Sequence, residues 1–265
     1  MNCRQWIRQF DMLAPKEYAC GWDNPGFQAG RADKEIKRIL VALDATDEVV
    51  EQAVSWQADL LVTHHPLIFK PLKLVNDENF ISRRIVSLIQ ADICYFAMHT
   101  NFDAAPGCMA DLAAGRLGLL DGEPLEVTGE ADGLPIGIGK KGRLPAPVSL
   151  KELALQVKQA FGLPFVTVYG SEQVREPIER IAVSPGAGGS MIEYAVEAGA
   201  QALVTGDIGH HSGIDAAARH MAVIDAGHYG LEHIFIPFMA EYIRRHSGGT
   251  AEVMEAAPAF PAQVF

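Results

Sequence analysis

Two adjacent histidines, His64 and His65, follow the apolar run Leu60-Leu61-Val62-Thr63 and are stopped by Pro66. Imidazole is the commonest protein ligand for metals. Neighbouring residues leaving a strand point to opposite sides, so this pair does not readily grip one ion, but each can hold one of two ions lying side by side. Asn101-Phe102-Asp103 adds a carboxylate, which either caps a helix starting near Gly107 or joins the histidines. Gly227-His228-Tyr229-Gly230-Leu231-Glu232 places His228 and Glu232 four apart, on one face if a helix begins near 228. The order is neither His-Glu-x-x-His nor His-x-x-Glu-His, so a zinc-protease reading fails on spacing. The pair is then either a solvated helical pair or a ligand pair in which Glu232 can bridge two ions. Together these segments offer three imidazoles, two carboxylates and no thiolate. Such donors suit two divalent ions (Zn, Mn, Fe, Co or Ni) and disfavour a sulfur-rich structural site. Five donors shared by two ions leave positions for water, which such a centre activates as a nucleophile at neutral pH.

Three other segments carry candidate chemistry. Asp207-Ile208-Gly209-His210-His211 offers Asp207 and His211 as groups that orient a ligand or transfer a proton. Ser184-Pro185-Gly186-Ala187-Gly188-Gly189-Ser190 is a glycine-rich turn in which Ser190 and Glu193 fit a capping box. It lacks Gly-Lys-Ser/Thr, so it is no Walker loop; its amides could approach a phosphate, or it could serve only as a cap. Trp22-Asp23-Asn24-Pro25-Gly26-Phe27 is either a loop pinned by aromatic packing or one that lines a pocket.

The elements that must position these residues alternate between strand and helix. Strands are expected at 39–43, 60–63, 93–98, 165–169 and 222–225, and helices at 4–13, 47–57, 80–90, 107–118 and 149–161. Asp44-Ala45-Thr46-Asp47 supplies cap candidates for the second helix. Residues 121–147, rich in Gly, Pro and charge, read as a linker or an irregular hairpin. Short apolar strands between helical patterns imply a parallel sheet covered on both faces, with ligands gathering beyond its carboxyl ends. His64-His65 and the 99–103 segment fall at such ends.

The second half repeats the first. A shift of 142 positions aligns Ile36–Thr63 with Ile178–Thr205 without a gap, and 12 of the 28 positions are identical. Ordinary residue frequencies would give roughly two. The period is too long for a solenoid and points to a duplicated α/β lobe, about 1–125 and 126–265, the second interwoven with the first. In the first copy the strand ends in His64-His65 and in the second in Gly206-Asp207. Two related sheets would aim these ends at a shared cleft.

At 265 residues with a formal net charge of −11, the chain argues against nucleic acid as its main partner, since phosphate binding needs a basic face. A small anionic substrate that meets a local metal charge is compatible with it. Cys3, Cys20, Cys94 and Cys108 form no Cys-x-x-Cys pair, which suits reduced thiols. No apolar run approaches a membrane span and the N-terminus has no signal-like core, so a cytoplasmic protein without a membrane partner is expected.

With these residues in view, the chain resembles the GTP cyclohydrolase I type 2 homolog family, the Nif-three-like dinuclear metal proteins. The likeness is carried by Trp22 to Phe27, Thr63-His64-His65-Pro66-Leu67, His99 to Asp103, Val204-Thr205-Gly206-Asp207 and Gly227 to Glu232. It implies duplicated, intertwined α/β lobes, a two-metal site and a toroidal homohexamer with sites facing an internal cavity. It also implies His64 and His228 on one ion, His65 and Asp103 on the other, and Glu232 bridging them. Ring opening of a nucleotide base by metal-activated water is the implied activity, with Glu232, His211 and Asp207 as candidate catalytic groups. The same ligands could serve a phosphoesterase or a non-catalytic metal-binding adaptor. Phe27 and Phe102 stand where the family usually has Leu, Ala110 where it often has Asn, and His210 where it usually has an aromatic residue.

Overall fold

The computed structural model describes residues 1–170, 172, 174, 177–257 and 260. The chain folds into two compact units, one of Met1–Phe102 with Phe235–Ala259, the other of Asp103–Ile234 with Phe260–Phe265. A cut near residue 125 would fall inside the twelve-residue strand Leu120–Ala131, whereas the units divide at Phe102 and Asp103.

The first unit holds a five-stranded sheet in the order Gly26–Ala29, Cys94–Ala97, Leu60–Thr63, Arg38–Ala42, Glu252–Glu255. All neighbours are parallel except the edge strand Gly26–Ala29. Leu60–Thr63 and Cys94–Ala97 are buried at every position, as a parallel strand covered on both faces requires. Helix Cys3–Leu13 starts in a capping box between Asn2 and Gln5 and buries Trp6 and Phe10. Phe10 packs on Phe96 with ring centroids 5.1 Å apart. The chain returns to this unit through helix Phe235–His246, which buries Phe235, Ile236, Met239, Ala240 and Ile243.

The second unit holds a six-stranded sheet in the order Leu120–Ala131, Leu134–Val148, Ile178–Ala187, Ala202–Gly206, Ala222–Asp225, Thr167–Tyr169. The glycine- and proline-rich stretch is therefore a long antiparallel hairpin, with register shifts that absorb its irregular residues. Helix Leu150–Ala160 starts in the capping box of Ser149 and Glu152. The box expected at Ser190 and Glu193 does not form: the Ser190 side chain caps nothing, and Glu193 instead takes both Arg219 amino groups at 2.6 and 2.9 Å. A bidentate ion pair outcompetes the Ser190 backbone N–H for that carboxylate.

The duplication is visible in the sheet registers. Ile39 faces Leu60 and Ile181 faces Ala202, each displaced by 142 positions. The likeness runs further than the sequence match: each copy adds a third parallel strand, an antiparallel edge strand and a five-residue helix after the third strand. These helices, Thr100–Ala104 and His228–Glu232, are offset by 128 rather than 142. The missing 14 positions correspond to the segment Pro66–Asn79, which the first copy inserts after its histidines. No helix among the described residues is long and apolar enough to cross a membrane.

Candidate metal centre

In the first unit the strand Leu60–Thr63 delivers His64 and His65 into a turn fixed from below. The hydroxyls of Thr63 and Tyr95, 2.6 Å apart, each reach the His65 carbonyl at 2.8 Å. Tyr95 also accepts the Leu67 amide at 3.0 Å, and the His65 amide donates to Leu43 O at 3.0 Å. Burial pushes the Tyr95 phenol up, so it stays a neutral hydroxyl.

His99, at the end of the neighbouring strand, joins this pair. Each of His64, His65 and His99 places one ring nitrogen within 4.8 Å of the others. Two donors on one ion lie at most about 4.2 Å apart, so this spread suits two adjoining ions or one ion after a small shift. His64 Nδ1 donates to the Met98 carbonyl at 2.7 Å, His65 Nδ1 to Asp44 Oδ1 at 2.7 Å and His99 Nδ1 to Asp23 Oδ1 at 2.8 Å. Each partner only accepts, so the proton belongs on Nδ1 and Nε2 keeps its lone pair. Metal-binding histidines are oriented in this way.

Asp23 is fully buried at its side chain. Burial alone would raise its pKa, but hydrogen bonds from His99 and Thr100 and the electrostatic attraction of the His99 N–H outweigh burial and hold it at about 2. Its other oxygen accepts from the Thr100 amide at 3.0 Å and hydroxyl at 2.6 Å. A carboxylate held below its unfolded pKa stabilises the fold fully above that value, near 4, and loses the contribution as pH falls through about 2. Asp23→Asn is therefore expected to cost about 2 kcal/mol at pH 7, a gap that closes between about pH 4 and 2 in urea unfolding.

In the second unit the short helix His228–Glu232 carries its two candidate ligands one turn apart. His228 Nδ1 donates to Asp207 Oδ2 at 2.9 Å, while Nε2 lies 3.0 Å from Glu232 Oε2. An imidazole between two carboxylates is either an imidazolium or a neutral ligand whose Nε2 and carboxylate face a shared cation. Glu232 is 2% exposed, and a carboxylate buried so deeply requires a cationic or hydrogen-bonded setting. Gly186, at φ +86°, makes room for it: a Cβ there would sit 2.7 Å from Glu232 Oε1. This glycine-rich turn packs under the site, and the Gly188 amide is spent on Gly206 O at 2.9 Å.

Asp207 thus stands on His228, in a left-handed conformation at φ +56°. His211 lies in the first turn of helix His210–Ala218; among the described residues it meets the His210 ring edge-on and makes neither an ion pair nor a side-chain hydrogen bond. Asp103 sits within helix Thr100–Ala104 rather than capping the helix Met109–Arg116. Burial first, then the Asp111 and Asp103 carboxylates, push the Cys108 thiol up. Cys3, Cys94 and Cys108 are buried thiols outside any disulfide. Sequence reasoning passed over His99, Asp23 and Asp44 as participants. His99 and Asp23 sat in quoted motifs, but their pairing spans 76 positions of chain.

The Duf34/NIF3 (NGG1p interacting factor 3) family model matches residues 1–258. The GTP cyclohydrolase 1 type 2 homolog of Streptococcus pneumoniae is 33% identical, over 91% of this chain and 89% of its own. That of Streptomyces coelicolor is 35% identical over 85% and 80%. Among solved structures, the Staphylococcus aureus hypothetical protein SA1388 superposes with a TM-score of 0.87 at 27% identity, covering 100% of this chain and 99% of that one. HcgD from Methanocaldococcus jannaschii gives 0.83 at 30% identity, covering 96% and 97%.

Proposed function

Because the chain belongs to the Duf34/NIF3 family, we propose that it is a metal-dependent hydrolase in which His64, His65, Asp103, His228 and Glu232 hold two divalent ions. The observation that carries this reading is His228, its Nδ1 fixed by Asp207 and its Nε2 set 3.0 Å from the buried Glu232 carboxylate. The same Nδ1 anchoring on His64, His65 and His99 supports it. Nitrogen and oxygen donors without thiolate fit Zn, Mn, Fe, Co or Ni.

Bound divalent ions would supply Lewis acidity and make water acidic enough to attack at neutral pH. The chain's own part is to hold lone pairs in place. Met98 O and the carboxylates of Asp44, Asp23 and Asp207 fix four imidazole tautomers. Glu232 adds negative charge where cationic charge gathers, and its burial keeps that charge from being screened by water. His99, fixed by Asp23, can accept a proton at Nε2 from a group beside it.

The relatives named as GTP cyclohydrolase homologs point to a nucleotide as substrate, with a purine ring opened by hydrolysis. The homohexamer that the resemblance implies belongs to the same proposal. Chelator-stripped protein reloaded with each of Zn, Mn, Fe, Co and Ni, then offered nucleotides and phosphoesters, tests the activity. Turnover of a nucleotide with at least one metal, absent from the stripped protein, is expected. Turnover of phosphoesters alone would make it a phosphoesterase, and no turnover with any metal would make it a metal-loaded adaptor.

A further inference from the structure

Apart from Asp23, which orients His99, the segment Trp22 to Phe27 and the insertion Pro66–Asn79 supply none of the proposed ligands, yet they meet beside the histidine cluster. Trp22 is 63% exposed and Phe69 43%. Their ring centroids lie 6.0 Å apart at 63°, and each lies about as far from His99, at 6.1 and 6.2 Å. Both contacts with His99 are edge-on.

These exposed rings are held in place. Asn24 Nδ2 and Gln28 Nε2 donate to Ile68 O at 2.6 and 3.2 Å, and the Ile68 amide donates to Gln28 Oε1 at 2.8 Å. Trp22 is followed by the buried Asp23 anchor, and the Cys20 amide donates to Thr100 Oγ1 at 2.9 Å. Large rings fixed in water leave apolar area uncovered that a ligand can cover at little further ordering cost. At 6.0 Å and 63° the pair touch edge to face, so nothing flat can slide between them. A planar ligand would instead lie on the open face of Trp22, with Phe69 as an end wall.

Lys70 and Lys73 belong to the same insertion and are exposed, in a chain of net charge −11. Neither makes an ion pair among the described residues. Asp77 and Glu78 follow at the far end of the segment. The second copy of the lobe lacks this insertion, so the apparatus is confined to the unit that carries His64, His65 and His99.

We propose that Trp22 and Phe69 form a stacking shelf for a flat heteroaromatic ring, and that Lys70 and Lys73 meet an anionic tail on the same ligand. The shelf gives the site a nucleotide-shaped ligand, and it rests on the hydrolase reading only for what lies beside it.

The test compares GTP, guanosine and ribose 5′-triphosphate by calorimetry and tryptophan fluorescence, on full-length protein both metal-stripped and zinc-loaded. Any metal–phosphate contact strengthens GTP and ribose triphosphate alike, so their ratio isolates the ring. GTP is expected to bind about tenfold tighter than ribose triphosphate and to quench fluorescence. Trp22→Ala should bring that ratio near one and remove the quench, Phe69→Ala should lower it in part, and Trp22→Phe should restore most of it. Lys70→Gln with Lys73→Gln should weaken GTP several-fold and leave guanosine unchanged. A ratio near one in the wild type, or an unchanged ratio in Trp22→Ala, overturns the proposal. So does a Trp22→Ala protein that changes only its sedimentation, since the rings would then belong to a protein contact. A ring preference without turnover keeps the shelf and sinks the hydrolase; turnover without ring preference does the reverse.

Discussion

Glutamine in place of Glu232 is expected to lower divalent-metal affinity by at least about a hundredfold while the fold stays intact. The substitution keeps the shape of a side chain that is 2% exposed, so packing is preserved and only the charge is lost. Removing a group that merely orients a ligand costs about 10- to 100-fold in affinity, and a carboxylate placed against Nε2 of His228 should cost no less. The amide also puts an N–H or a weaker acceptor beside Nε2 of a ring whose Nδ1 proton is committed to Asp207. Metal content after dialysis against a competing chelator, with circular dichroism as the control, reads the effect. Unchanged affinity would remove Glu232 from the site.

Alanine at Gly206 should damage the fold and the site together. Gly206 ends the strand Ala202–Gly206, and a Cβ there would lie 2.4 Å from His228 N and 2.6 Å from Gly227 C. Both are backbone atoms, so no side chain can turn aside, and the turn that presents His228 must shift. Such overpacking is expected to cost about 3 kcal/mol or more, a fall in Tm of about 6–12 °C for a chain of this size. Metal affinity should fall with it. Gly115→Ala provides the contrast: it lies inside helix Met109–Arg116 with nothing within 4 Å of the added carbon. It should stabilise by about 0.5–1 kcal/mol through helix propensity alone. Equal melting temperatures for the two variants would contradict this account of Gly206.

The strand end and the short helix that carry the candidate ligands were legible because local rules govern them. An apolar run ending in two histidines states a strand end, and a His and Glu four apart state a shared helical face. The duplicated registers were equally legible where the copies have equal spacing. The equivalence of helices Thr100–Ala104 and His228–Glu232 was hidden, because the insertion Pro66–Asn79 breaks the constant offset. The groups that orient the histidines were hidden for another reason. Asp44 reads as a helix cap, yet Thr46 takes that role and leaves Asp44 for His65. Asp23 reads as a turn residue until the fold brings it to His99. Arg219 diverts Glu193 from Ser190 by a contact that no local spacing announces. The strand Glu252–Glu255, which completes the first sheet after the chain has built the second unit, lies outside the repeat altogether.

In the proposed function, imidazoles and carboxylates from both copies hold a pair of ions. Anomalous diffraction from crystals of the full-length protein grown with manganese tests it most directly. Two peaks are expected, one bonded to His64 and His228 and the other to His65 and Asp103, with Glu232 touching both. Peaks elsewhere, or full manganese loading with these five side chains out of bonding reach, would contradict it.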